Sequence, residues 1–422
     1  MSSELFLGDI AEITMGQSPA GVHCNKEGDG FPLLNGPTEF GDSHPMPVQF
    51  TTDPKKKANK GDLLFCVRGS TTGRMNWADQ EYSIGRGIAA IRGKNGYPNS
   101  FIRTLIELQL EGLLVQATGS TFPNVSGKML SELCVPEISV KSASAIAGII
   151  EPIDDRIALL RETNSTLESI AQAMFKSWFI DFDPVKAKQQ GEEPQGMDAA
   201  TAALFPDAFQ DSELGPIPAR WEVAKLEDVY EINPGRKLKK REIAPYLGMS
   251  SVPTYGHSVG EVIDREMASG TKFINGDTLL ARITPCLENG KTAYVDFLDD
   301  EQVGWGSTEF IVLRPRAPFP SYHAYLLCRD SSFRTFAIQS MSGTSGRQRV
   351  QNDVLGSYRL VLPSEEILTA FSDVIEPIQM AMTSNHKRVQ TLASIRDALL
   401  PRLISGKLRL PEAEAMAGEA TA

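Results

Sequence analysis

The sequence predicts an α+β protein: two copies of a mixed α/β domain, each followed by one long helix, with the two helices forming a coiled coil. Three observations carry this. The chain resembles itself at a period of about 220 residues, too long for a solenoid. The first part of each copy holds short apolar runs bounded by turn residues. The second part of each copy carries the same heptad stripe.

Paired strings mark the repeat. Leu7-Gly8-Asp9-Ile10-Ala11-Glu12-Ile13 matches Leu226-Glu227-Asp228-Val229-Tyr230-Glu231-Ile232. Gly61-Asp62-Leu63-Leu64 with Arg68 matches Gly276-Asp277-Thr278-Leu279-Leu280 with Arg282. Thr118-Gly119-Ser120-Thr121 matches Ser342-Gly343-Thr344-Ser345, and Ile149-Ile150-Glu151-Pro152-Ile153 matches Val374-Ile375-Glu376-Pro377-Ile378. The offset drifts by a few residues, as loop insertions in a duplicated unit produce. The division that follows is a first domain over 1–140, a first long helix over 141–182, an acidic linker over 183–219, a second domain over 220–364, a second long helix over 365–410, and an acidic tail over 411–422.

Within the domains, Asp62 to Val67, Gly87 to Ile91 and Phe310 to Leu313 read as strands, and Phe101 to Gln116 and Tyr322 to Phe336 as short helices. In the first long helix the inward positions are Ile153, Ile157, Leu160, Asn164, Leu167, Ala171, Met174 and Trp178. In the second they are Ile378, Met382, Asn385, Val389, Leu392, Arg396, Leu399 and Leu403. Steps alternate between four and three, and a constant offset is kept because one inserted residue would rotate the stripe by about 100°. Asn164 and Asn385 on the seam would cost stability and fix register. Pro152 and Pro377 either begin each helix or kink it.

Composition narrows the function. Of 422 residues, 41% are hydrophobic, which excludes a disordered chain. No apolar run spans a membrane, and the start lacks a secretion signal, so no membrane contact is expected. Five scattered cysteines with no CxxC fit a reducing cytoplasm and argue against structural zinc. The net charge of −11 would disfavour a nucleic-acid partner if it were spread evenly. It is not: residues 181–219 carry −6 and the tail −3, while 220–364 is +1. Basic clusters stand at Lys55-Lys56-Lys57, at Arg236-Lys237 with Lys239-Lys240-Arg241, and at Arg347 with Arg349. Residues 183–219, with several Pro and Gly, read as a tether that is partly ordered at best.

Motifs of catalysis are missing. There is no GxxxxGK[ST] loop, no Gly-x-Gly-x-x-Gly after a strand, no HExxH and no Asn/Asp-Pro-Pro-aromatic tetrapeptide of the adenine methyltransferases. The expectation is a binding protein with no catalytic residue, metal or cofactor of its own. A methyltransferase with a diverged motif and a protein-binding coiled-coil scaffold are the alternatives.

The arrangement resembles the specificity subunit of type I restriction-modification enzymes. The strings that carry the resemblance are Phe175-Lys176-Ser177-Trp178-Phe179-Ile180-Asp181-Phe182-Asp183-Pro184-Val185, Leu204-Phe205-Pro206-Asp207, Ser212-Glu213-Leu214-Gly215-Pro216-Ile217-Pro218 with Trp221, Arg396-Asp397-Ala398-Leu399-Leu400-Pro401, and Ser405-Gly406-Lys407-Leu408. One departure is Ser142-Ala143-Ser144-Ala145, where relatives often carry a Glu-Gln pair. The resemblance implies that each domain is a target-recognition domain reading one half of a bipartite site in double-stranded DNA. It implies that the helices pair antiparallel and set the spacer, and that two modification (methyltransferase) subunits and the restriction (endonuclease/translocase) subunits join the chain. S-adenosylmethionine, ATP and Mg would belong to those partners.

Base edges are read by Arg, Asn, Gln, Ser and Thr. Candidates are Arg68, Ser70, Thr71, Thr72 and Arg74, then Ser120, Thr121 and Asn124, in the first domain. In the second they are Arg282 and Thr284, then Thr344, Ser345, Arg347, Gln348 and Arg349. Lys55, Lys56, Lys57, Arg236, Lys237, Lys239 and Lys240 would touch phosphate, setting affinity rather than sequence choice.

Overall fold

The structure, a computed structural model, describes residues 5–41, 44–69, 71–117, 123–344 and 346–421. The chain forms two compact units, residues 1–162 with 387–422, and residues 163–386. Each long helix therefore gives one half to each unit.

In the first unit the central sheet has the order Ala11–Met15, Ile88–Gly93, Leu63–Cys66, Met75–Trp77, all antiparallel. In the second the order is Tyr230–Ile232, Phe310–Pro315, Thr278–Ala281, Thr292–Tyr294, again antiparallel. The same order in both is the structural form of the sequence repeat. Every residue of Leu63–Cys66 and Thr278–Ala281 is buried because both faces of each sheet are covered. Leu63, Phe65, Ala89 and Ile91 face a core shared with helix Asn99–Gln116 and the long helices. Leu64, Cys66, Ile88 and Ala90 face a second core with Leu34, Ala58, Tyr82 and Ile84 of a further sheet. Leu280, Ile311 and Leu313 against Leu279, Phe310 and Val312 repeat that alternation in the second unit.

The matched Gly-Asp strings are structural. Gly61 and Gly276 both have φ of 86°, a turn that a Cβ would strain. The following aspartate accepts a turn N–H, from Asn59 at 2.7 Å or from Ile274 at 2.8 Å. It also accepts from an arginine on the neighbouring strand, Arg92 Nε or Arg314 Nε, each at 2.6 Å. Each domain is then closed by pairing of its first and last strands, Leu5–Phe6 with Cys134–Val135 and Glu222–Lys225 with Arg359–Leu362.

The long helices are Val140–Phe179 and Glu365–Ile404, 40 residues each. Neither begins at its proline. Pro152 and Pro377 both lie inside a continuous helix, each losing one backbone hydrogen bond. Burial of Ile149, Ile150 and Ile153 around Pro152, and of Ile375 beside Pro377, holds the helix through the break. The two helices pack together and run antiparallel. In the second unit Asn385 Nδ2 donates to Asn164 Oδ1 (2.9 Å), Asn164 Nδ2 donates to Met382 O (3.0 Å), and Trp178 meets Phe371 at 5.6 Å between ring centroids. In the first unit Ile153, Ile157 and Leu160 share a core with Val389, Leu392 and Leu399, and Arg396 Nη1 donates to Asp154 Oδ1 at 2.9 Å.

One stretch of the seam departs from the expected phase. After Asn164 the buried positions are Glu168, Ala171, Phe175, Trp178 and Phe179, while Leu167 and Met174 are only partly buried, like Ile378 on the other helix. The stripe turns there because Glu168 is drawn inward by the second domain: Tyr325 Oη donates to Glu168 Oε1 at 2.5 Å, and Arg329 Nε donates to the same Tyr325 oxygen at 3.0 Å.

Other expectations need correction. Tyr322 to Phe336 is not one helix but two, Tyr322–Arg329 and Ser331–Gln339, with Asp330 capping the second. Residues 183–219 are not a tether. They form helices Asp183–Gln189 and Ala199–Leu204 and a strand pair, with Val185, Phe205 and Ile217 buried among Phe175, Trp178 and Trp221. The acidic tail is part of helix Leu410–Thr421, with Ala413 and Ala417 buried.

Polar contacts pin each domain to the long helices. In the first unit Ser100 Oγ donates to Glu151 Oε1 at 2.5 Å. In the second, besides Glu168, Thr383 Oγ1 donates to Asp296 Oδ2 at 2.5 Å, and His257 Nε2 lies 2.6 Å from the same oxygen. Burial would raise the Asp296 carboxyl, but the His257 and Thr383 hydrogen bonds outweigh it and hold it below its ordinary 3.8. A carboxyl lowered on folding stabilises above its unfolded value, and that contribution is lost as pH falls through the folded value. Asp296→Asn should therefore lower the unfolding free energy from urea titration at pH 7 by about 1–3 kcal/mol. The gap from wild type should shrink once the pH drops below the ordinary carboxylate range; a gap that is constant with pH would contradict the assignment.

Candidate nucleic-acid interface

At one end of each central sheet the candidate loops meet. In the first domain residues 123–125 close against the segment that follows Leu63–Cys66. Val125 N donates to Val67 O (2.9 Å), and Arg68 pairs with Asn124 through a backbone bridge and through Nε to Oδ1 at 3.1 Å. The Thr72 hydroxyl lies 2.8 Å from Gly69 O and 2.9 Å from Pro123 O. Arg68, Thr71, Thr72 and Asn124, 56 residues apart at the Arg68–Asn124 contact, are thus one cluster. Arg68 and Thr71 are exposed. Arg74 is committed elsewhere, its Nη2 donating to Phe40 O at 2.7 Å and Gly41 O at 3.2 Å. Ser70, Ser120 and Thr121, like Thr118 and Gly119, lie outside the described residues.

The second domain repeats the convergence. Val350 N donates to Arg282 O and Thr284 N to Gln348 O, both at 3.0 Å, and Ile283 bridges Arg349. Arg347 N donates to Thr344 O at 2.9 Å, which tightens the turn. Ser345 lies outside the described residues. These bonds correct the alignment of the repeat. Arg282 occupies the backbone position of Val67, since each donates to the strand opposite and accepts from the closing loop, so Arg68 corresponds to Ile283 rather than Arg282.

The side chains differ in how free they are. Arg349 donates from Nε (2.9 Å) and Nη2 (2.6 Å) to the Glu309 carboxylate. That hydrogen bond holds Glu309 below its ordinary value. Arg282 donates to Gln351 Oε1 at 3.1 Å and to Asn352 Oδ1 at 3.4 Å. Arg347 is exposed and, among the described residues, makes no side-chain hydrogen bond or ion pair.

Of the phosphate candidates, Lys55, Lys56 and Lys57 are exposed, with Lys55 2.6 Å from Asp53 and Lys57 over the Phe31 ring at 3.6 Å. Lys237, Lys239 and Lys240 are exposed on a loop that Lys272 Nζ supports by donating to Leu238 O at 2.8 Å. Arg236 is a correction: its side chain is only 14% exposed and lies 3.2 Å from buried Asp277, so it serves the fold. Reading by residue type also passed over the turn Gly85-Arg86-Gly87, which reaches the same end of the first sheet, where Val67 N donates to Gly87 O at 2.9 Å. Its signal in the sequence is a cation between two glycines.

These placements separate two neighbours. Arg349→Ala should lower thermal stability measurably, because the partly buried Glu309 loses its partner. Arg347→Ala should leave thermal stability within about 0.5 kcal/mol of wild type. Thermal unfolding of both variants checks this, and equal losses would count against it.

Residues 3–169 and 218–391 match the family described as the type I restriction modification DNA specificity domain, once in each repeat. The MjaIX specificity subunit of Methanocaldococcus jannaschii, a type I restriction enzyme, is 26% identical over 364 residues, covering 84% of this chain and 79% of that one. The HindI specificity subunit of Haemophilus influenzae is 24% identical over 420 residues, covering 84% and 88%. A crystal structure of a type I restriction-modification system S subunit from M. genitalium superposes with a TM-score of 0.56 at 16% identity, over 95% of each chain, and so shares the fold. The chain belongs to the type I restriction modification DNA specificity family.

Proposed function

We propose that this chain is the sequence-recognition subunit of a type I restriction-modification complex, without catalysis of its own. Each domain reads one half of a bipartite site in double-stranded DNA. The paired helices set the number of unread base pairs between the halves. Modification and restriction subunits bring S-adenosylmethionine, ATP and Mg.

The observation that carries the reading is that each family-matching repeat brings two polar loops together at the matching end of its four-stranded sheet, with an arginine on one loop in the first domain (Arg68) and on both in the second (Arg282; Arg347 and Arg349). Loops on a rigid sheet are where varied recognition is placed with least cost to the fold. The two loop sets differ in composition: Arg68 and Asn124 in one, Arg347, Gln348 and Arg349 in the other. Unlike half-sites follow. The curated relatives are specificity subunits of restriction enzymes, which supports placing this chain in such a complex.

Footprinting of the complex on random duplex DNA should return a split motif with a fixed gap. Protection without any motif would favour a scaffold, and methyl transfer by the chain alone would favour an enzyme. Length control has its own test. Seven residues added to both long helices at paired positions keep the seam in phase and lengthen the rod by about 10 Å, the rise of about three base pairs. The gap should grow while both half-site sequences stay the same. Changed half-sites with an unchanged gap would refute the ruler.

A further inference from the structure

We infer that Arg86 is a specificity-determining residue of the first domain, contacting a guanine edge in its half-site. The inference rests on the DNA-reading function proposed above and names a residue that reading by type left out.

Arg86 is exposed and, among the described residues, its guanidinium has no hydrogen-bond or ionic partner. Its backbone, by contrast, is held on three sides. Arg86 N donates to Ser18 Oγ at 3.3 Å, and Gln17 N donates to Ile84 O at 2.9 Å, which packs residues 16–18 against the turn. Gly85 N donates to Leu34 O at 2.8 Å, which sets residues 34–36 on the second side. Val67 N donates to Gly87 O at 2.9 Å, which sets the Arg68–Asn124 cluster on the third. Space is tight at both flanking glycines, and at Gly87 it is closed by backbone. A Cβ on Gly85 would stand 2.5 Å from Asn35 Oδ1, and one on Gly87 would stand 2.4 Å from Asn35 O. A planar, two-pronged donor is thus presented from a turn whose backbone is tied on three sides, beside the loops already argued to read DNA.

That combination suits base reading better than phosphate binding. Phosphate contacts tolerate mobile side chains on open loops, as at Lys55 and Lys56. A bidentate Arg–guanine pair needs a fixed approach to O6 and N7. The second domain offers no such cation at this place. Glu309 takes the position of Gly87, since its carbonyl accepts from Arg282 N at 2.9 Å, and Thr308 takes that of Arg86. The difference lies at one equivalent point of two otherwise similar sheets, where unlike half-sites would be specified.

The test selects bound sequences from a random duplex library with the full chain in complex with modification subunits, comparing wild type with Arg86→Ala, Arg86→Lys and Lys56→Ala. Wild type should return a bipartite motif with a guanine in one half. Arg86→Ala should lose preference at that one base pair by about fivefold or more and leave the other half unchanged. Arg86→Lys should keep most affinity but lose much of the preference, since an ammonium cannot make the paired contact. Lys56→Ala should weaken all sequences alike. An unchanged motif in Arg86→Ala, or a uniform loss of affinity with a shallower salt dependence, would overturn the inference while leaving the recognition function intact. A wild-type complex that selects no motif would instead refute the function, and the inference with it.

Discussion

Everything in this molecule depends on the packing of two 40-residue helices along one seam. A helix is stiff over such a length, about 60 Å, and its side chains repeat in fixed phase. Burial of Ile153, Ile157 and Leu160 with Val389, Leu392 and Leu399 in one unit supplies the drive for pairing. In the other, Ala171, Phe175 and Trp178 with Phe371, Ile375 and Met382 do the same. The Asn164–Asn385 pair adds little stability. Its amides are satisfied only in one alignment, so it selects the register.

A seam alone would not orient the domains. In the second unit that task falls to side chains reaching across from the helices. Glu168 meets Tyr325, and Thr383 meets the Asp296–His257 pair, so both helices hold the domain. Arg329 ties the same region together, its guanidinium donating to Gly290 O, Thr254 O, Gly256 O and Thr292 O at 2.6–3.1 Å. Such buried polar contacts give a definite arrangement because leaving any one unmade is costly. The first unit has its own anchor in Ser100 and Glu151. Each sheet is then covered on both faces, and the loop ends are left to vary without disturbing the fold.

Much of this was legible in the sequence, and the reasons are physical. Heptad spacing and continuous apolar runs report burial directly, so the long helices and strands such as Leu63–Cys66 could be read from residue order. The matched Gly-Asp strings were visible as a repeat, although their role, a strained turn closed onto Arg92 or Arg314, needed coordinates. What escaped were effects of tertiary contact. Polar composition hid Val185, Phe205 and Ile217, which bury against aromatic residues of the first helix and make residues 183–219 a folded segment. Glu168, which the heptad spacing does not place on the seam, is 4% exposed. Arg236 looked like a phosphate ligand but balances Asp277, while Arg86 carried no cluster around it in the chain and is placed by three separate loops. Arg68 and Asn124 were legible only as separate candidates by residue type; that they meet, and that Arg68 aligns with Ile283 rather than Arg282, could not be read from spacing.

The most direct test of the antiparallel seam is intramolecular cross-linking across it. Cysteine pairs placed separately at 164 with 385 and at 154 with 396, in a chain whose five native cysteines have been replaced, report whether the helices lie side by side in opposite directions, since the second pair meets only when they run antiparallel. A short bifunctional thiol reagent should join Asn164→Cys to Asn385→Cys, and Asp154→Cys to Arg396→Cys, within one chain and in high yield. No link in the second pair, together with efficient linking of repeat-equivalent positions such as Ser177→Cys and Arg402→Cys, would mean that the helices run parallel and would contradict the account.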